Sequence, residues 1–164
     1  MNRPRLVFLF VFLASVLLMG AGLVLQHIKH LEPCAMCILQ RYAFVGAALI
    51  ALLAALHGPG KRGTRIYGVM VLLVSLAGGG VAARQAWMQR FPSRETVCGP
   101  GLEYTLQSFP LADALPMIFK GGGDCAKVQW TFLGGTIPEW ALLWFAVFSA
   151  VALWLIVRPA PCAP

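Results

Sequence analysis

The chain has 164 residues, 59% of them hydrophobic and 12% charged, with 13 Lys and Arg against 6 Asp and Glu for a net charge of +7. A soluble domain carries about a quarter of its residues as charges, so this composition, with a mean hydropathy of +0.76, excludes a water-soluble globule. The chain is also too apolar and too varied for intrinsic disorder. The expectation is a small polytopic membrane protein, one integral domain over 1–164. Its positive charge is then read against a bilayer, not against nucleic acid.

Four stretches are long enough to cross about 30 Å of hydrocarbon at about 1.5 Å per residue. The first, 6–25, follows Arg3 and Arg5. A cleaved signal peptide would begin similarly, but this apolar run exceeds the usual core of about 7–15 residues and no small-residue cleavage pattern follows it. The second runs over 37–56 and ends in a short basic turn, 57–65, that contains Gly58, Pro59, Gly60 and Gly63. The third covers 66–83 and holds the run Gly78, Gly79, Gly80, where small residues allow a neighbouring helix, or a flat ligand, to approach closely. A long segment rich in Pro and Gly, 84–139, precedes the fourth stretch at 140–157. Within it Phe109, Leu111, Leu115, Met117, Ile118 and Phe119, broken by Pro110 and Pro116, suggest an amphipathic piece on the outer membrane surface. That piece either holds the loop near the membrane or plugs the bundle. The predicted fold is all-α: a four-transmembrane-helix bundle with two outward loops, 26–36 and 84–139, the second largely irregular.

Charge sets the expected orientation. Arg3, Arg5, Lys61, Arg62, Arg65 and Arg158 fall on one side with no acid among them, whereas all six acids fall on the other. The positive-inside rule places both termini and the 57–65 turn in the cytoplasm. Four of the five cysteines, Cys34, Cys37, Cys98 and Cys125, then face outward, and Cys162 stays inside as a bystander.

Zinc prefers two closely spaced pairs, which Cys98 and Cys125 do not make. Covalent haem needs a His after the C-x-x-C, and Ile38 stands there instead. Flavin, nucleotide and iron–sulfur fingerprints are lacking as well. Disulfide chemistry remains, structural or redox-active. Closing the 98–125 loop would contribute about 3.6 kcal/mol in the chain-entropy model, so a structural role is open there. A bridge between Cys34 and Cys37 closes almost no loop and gains little that way. C-x-x-C is instead the spacing at which one thiolate attacks a disulfide and its neighbour resolves the product.

Pro33 predicts a helix start, which puts Cys34–Cys37 in a first turn where free N–H groups and the dipole favour a thiolate. Arg41, four residues after Cys37 and seven after Cys34, falls on the same face. It is either an interfacial anchor or a donor to a lipid-soluble molecule. A redox couple at this depth needs an electron acceptor, and by elimination a membrane quinone is the natural one.

These residues resemble the bacterial disulfide bond formation protein B (DsbB) family of inner-membrane thiol oxidases. The resemblance is carried by Cys34-Ala-Met-Cys37-Ile-Leu-Gln40-Arg41, Phe91-Pro92 ahead of Cys98, and Gly123-Asp124-Cys125-Ala126 followed by Trp130, Phe132, Leu133, Gly134, Pro138 and Trp140. It implies a protein-dithiol:quinone oxidoreductase. A DsbA-like periplasmic thioredoxin-fold partner would attack Cys98 of a 98–125 disulfide. Cys125 would then attack Cys34 and free Cys37 beside ubiquinone or menaquinone. Arg41 is implied as the quinone-binding residue. Some family members carry a histidine near the outer end of the third span where this chain has Gln85, so Gln85, or Gln89 one turn on, is a candidate for the quinone pocket. Two other readings stand beside this one: a thiol oxidase serving a dedicated partner, and a non-catalytic membrane protein with structural disulfides.

Overall fold

The computed structural model describes residues 3–29, 34–91, 123–126, 128 and 130–158. Pro33, Cys98, Cys162 and the amphipathic piece at 109–119 lie outside the described residues. The elements in chain order are α1 (Arg3–Lys29), α2 (Ala35–His57), α3 (Lys61–Arg90), a single turn α4 (Gly123–Ala126), strands β1 (Thr131–Phe132) and β2 (Gly135–Thr136), and α5 (Ile137–Val157). Even α5, with 21 residues, reaches about 32 Å, enough to cross the hydrocarbon.

Each long helix contains one of the apolar stretches read from the sequence. The largest extension is in α3, which continues through Arg90 where the sequence placed the start of the outer segment. Hydropathy marks where lipid ends, not where a helix ends. Arg84, Gln85, Ala86, Met88 and Gln89 are all good helix formers. The helix stops at Phe91, with φ −127° and ψ 71°, because the residue before Pro92 is pushed out of the helical region. At the other end of the bundle α2 closes on Gly58, whose left-handed φ of 58° lets its N–H donate to Ala54 O at 3.1 Å.

The helices pack in sequence order, α1 on α2, α2 on α3 and α3 on α5, whereas α1 and α5 barely touch. Phe8 and Val11 of α1, Phe44 and Ala51 of α2, Val71 of α3, and Phe145, Phe148 and Leu155 of α5 form the core. Phe44 and Phe145 stack with centroids 4.2 Å apart. Gly78 makes room for them: a Cβ there would lie 2.5 Å from Phe145 Cζ and 2.7 Å from Ala43 Cβ. The glycine run therefore serves helix packing at Gly78, as small residues commonly do in membranes. Outward, Leu17 is 72% exposed and Leu73 61%, with Leu49 and Leu153 also bare. Only a solvent as apolar as that surface accommodates it, and the fold is a four-helix membrane bundle.

The cysteine end is fastened by polar contacts. Arg90 donates to Glu139 Oε1 from Nη2 at 2.6 Å and from Nε at 2.9 Å. Glu139 Oε2 accepts the N–H of Thr136, the N-cap of α5, at 2.9 Å. The end of α3 is thereby tied to the start of α5. Just before α5, β1 and β2 pair antiparallel through a turn at Leu133 (φ 51°) and Gly134 (φ 82°), the positive angles of a tight hairpin. Trp140 Nε1 donates to Phe132 O at 3.1 Å and holds this hairpin on α5. Leucine in a left-handed position hid the turn from sequence reading, which expects Asn or Gly there.

Candidate functional site

Cys34 is the N-cap of α2. Its backbone is extended, its carbonyl accepts from Ile38 N–H at 3.1 Å, and its Sγ accepts from Cys37 N–H at 3.4 Å. A sulfur thus fills the place usually taken by a serine or aspartate oxygen. The same geometry sets the two sulfurs of the C-x-x-C face to face, 2.9 Å apart. The helix begins one residue later than the expected first turn over Cys34–Cys37: Cys37 lies in the first turn and Cys34 caps it.

Cys125, on the one-turn α4, is 3% exposed and packs with Cys34, Met36, Val81 and Met88, with Cys37 at the edge. Its side chain is within hydrogen-bonding reach of Cys34. That bond, a second one with Cys37, and burial together hold the Cys34 thiol well above the ordinary thiol range. When these cysteines are reduced, Cys34 keeps its proton. Three sulfurs from segments about ninety residues apart in sequence therefore share one apolar pocket. Such close approach is the first requirement for one thiol to exchange with another's disulfide.

Two amides close the pocket from the bundle side. Gln85 of α3, 2% exposed, donates from Nε2 to Cys34 Sγ and to Cys37 Sγ, each at 3.3 Å. Its Oε1 accepts from Nε2 of Gln40, itself 4% exposed, at 2.8 Å.

Where α1 and α5 barely touch, an open cleft of about 120 Å³ lies beside Cys37. Its apolar walls include Leu18, Met19, Leu25, Phe44 and Ala141, and its polar groups are Cys37, Gln40, Arg41 and Gln26. Arg41 Nη1 donates to Gln26 Oε1 on α1 at 2.7 Å, which steadies the guanidinium against the cleft. Apolar walls with a few convergent polar groups are the lining of a small-molecule site.

Cys34, Cys37 and Cys125 thus lie together and Arg41 lines the cleft with Cys37, while Cys98 lies outside the described residues. Gln85 joins the cysteines, but neither it nor Gln89 is among the cleft-lining residues. Sequence reasoning assigned no role to Gln40 or Gln26. Both carried a usable signal: an amide inside or at the rim of an apolar span is expensive unless it has a partner.

The family model described as "Disulfide bond formation protein DsbB" matches residues 4–155. Disulfide bond formation protein B of Aromatoleum aromaticum is 57% identical over 154 residues, covering 94% of this chain and 93% of the relative. The protein of the same name from Azoarcus sp. is 56% identical over 155 residues, covering 94% and 93%. Disulfide bond formation protein B 1 of Pseudomonas aeruginosa is 42% identical over 158 residues, covering 96% and 97%. With its C-x-x-C at a helix start, its third buried sulfur and its four membrane helices, this chain belongs to the DsbB family, membrane oxidoreductases of disulfide bond formation.

Proposed function

We propose that the protein oxidises the dithiol of a DsbA-like periplasmic partner and delivers the two electrons to a membrane quinone. In this reading it sits in the bacterial inner membrane, with both termini cytoplasmic and the cysteine loops periplasmic. The observation that carries it is Cys125 packed against Cys34, with Cys37 opening onto the cleft beside Arg41.

The exchange steps balance as follows. A partner thiolate attacks Cys98 of the 98–125 disulfide and releases Cys125 as a thiolate. Cys125 attacks Cys34 of the 34–37 disulfide, forming a 34–125 bridge and expelling Cys37 as a thiolate. The partner's second thiol resolves its mixed disulfide with Cys98, so the partner leaves oxidised. Exchange back restores 98–125 and leaves the two electrons on the 34–37 pair. Burial beside both neighbours supports this order, because Cys125 needs little movement to reach Cys34.

The cleft fits a quinone: a flat apolar ring suits walls of Leu18, Met19, Leu25 and Phe44, and carbonyl oxygens suit the donors of Arg41 and Gln40. A bound quinone supplies a two-electron, two-proton acceptor that leaves Cys34 and Cys37 as a disulfide. Arg41, held by Gln26, orients the ring, and Cys37 lies on the same wall. The test is quinone reduction by the purified protein given a reduced thioredoxin-like dithiol. Turnover is expected, with Cys34→Ser abolishing it and Arg41→Ala raising the quinone KM about tenfold, the worth of a charged donor. Full dithiol oxidation by Cys34→Ser would refute the reading, leaving the disulfides structural.

A further inference from the structure

Gln40 and Gln85 stand out because they cost the fold something. Each is a primary amide buried in a membrane bundle, from different helices, where leucine would pack at no polar cost. Their contacts show where that cost is offset. Gln85 Oε1 is occupied by the Gln40 amide at 2.8 Å, so the Gln85 NH2 group must point the other way. There it meets two sulfurs, Cys34 and Cys37, each at 3.3 Å. An amide NH2 has two protons, one for each sulfur. Gln85 Oε1 also accepts a longer contact from Cys37 Sγ, at 3.8 Å, and the Gln40 amide on that oxygen holds the orientation in which the nearer group facing both sulfurs is the donor.

We infer that Gln85, clamped by Gln40, is a positioning residue that makes the Cys34–Cys37 couple more oxidising by donating to its reduced sulfurs. The inference rests on reading these cysteines as a redox couple. Reduction takes up two electrons and breaks the S–S bond, leaving a thiol and a thiolate once one proton is bound. The thiolate is a strong hydrogen-bond acceptor and a disulfide sulfur a weak one. A fixed donor between them therefore favours the reduced side. An amide does this without gaining or losing a proton, so the donor stays in place in both redox states. Because Gln85 does not line the cleft, its effect falls on the sulfurs and not on the acceptor.

The experiment equilibrates the full-length protein, in detergent or nanodiscs, with glutathione buffers and quantifies the 34–37 bridge by alkylation and peptide mass mapping. Gln85→Met keeps the length and removes the donor. It should shift the couple about tenfold toward the disulfide, a change of about 30 mV for two electrons. Gln40→Met leaves Gln85 in place without its clamp and should shift it about threefold in the same direction. Quinone KM should stay at the wild-type value in Gln85→Met, which lies off the cleft, while kcat for partner oxidation falls in both variants. An unchanged equilibrium in a folded Gln85→Met protein overturns the inference, as does a raised quinone KM without a shift. If Gln85→Met does not fold, an unchanged equilibrium in Gln40→Met overturns it alone. Failure of the underlying reading looks different: the wild-type 34–37 pair would then show no exchange with the partner dithiol at all.

Discussion

Replacing Gly78 with alanine tests whether the core and the cleft are mechanically joined. The added Cβ would sit 2.5 Å from Phe145 Cζ, 2.7 Å from Phe145 Cε1 and 2.7 Å from Ala43 Cβ. Carbon atoms pack best at about 3.5–4.0 Å, so the ring must retreat by about 1 Å. It has little room, being 1% exposed and stacked on Phe44 at 4.2 Å. Overpacking of this kind costs about 1–3 kcal/mol, while exchanging Gly for Ala in a helix returns up to about 1 kcal/mol. Gly80, on the same helix, has nothing within 4 Å of its Cβ position and feels only the second effect. Gly80→Ala is therefore the control, and subtracting it removes the propensity contribution. Reversible unfolding in mixed micelles should show Gly78→Ala less stable than Gly80→Ala by about 1–3 kcal/mol. Because Phe44 lines the cleft, quinone KM should also rise in Gly78→Ala alone. Equal stability of the two variants would refute the packing argument, and equal KM would refute the link from Gly78 through the ring pair to the cleft.

Two further outcomes follow from side-chain contacts. Gln26→Ala removes the acceptor that holds Arg41 at 2.7 Å, so quinone KM should rise about threefold, less than in Arg41→Ala. Combining the two should give no more than Arg41→Ala by itself, since they act on one guanidinium; additive effects in steady-state assays would contradict this. Glu139→Gln should cost about 1 kcal/mol in thermal or denaturant unfolding, mostly from the weakened cap at Thr136. The Arg90 pair adds little because the Arg90 side chain is 72% exposed, so raising salt should leave the wild-type stability nearly unchanged.

What was legible in the sequence is whatever depends on neighbours within a few turns of chain. Apolar runs of about twenty residues identify membrane helices because lipid solvates no free backbone, and that requirement acts on each segment alone. The placement of Cys37 in a first turn behind the Cys34 cap, with Arg41 one turn on, follows from helix periodicity and needs no knowledge of the other helices. The end of α3 was not legible for the same local reason: hydropathy falls at Arg84, but the helix persists until Pro92 forbids it.

Tertiary packing decided the rest. Gln85 reaches the sulfurs across 48 and 51 residues of sequence, and its amide acquires a direction only because Gln40 arrives from α2 on the correct face. The cleft exists because α1 and α5 diverge, a property of helix rotation and crossing that no single span encodes. Cys125 beside Cys34 was implied by family resemblance and not by spacing, since a loop can bring its cysteine almost anywhere until packing with Val81 and Met88 chooses the place. Chain-local physics names the reactive atoms, whereas the rotation and depth at which helices meet determine which of them touch.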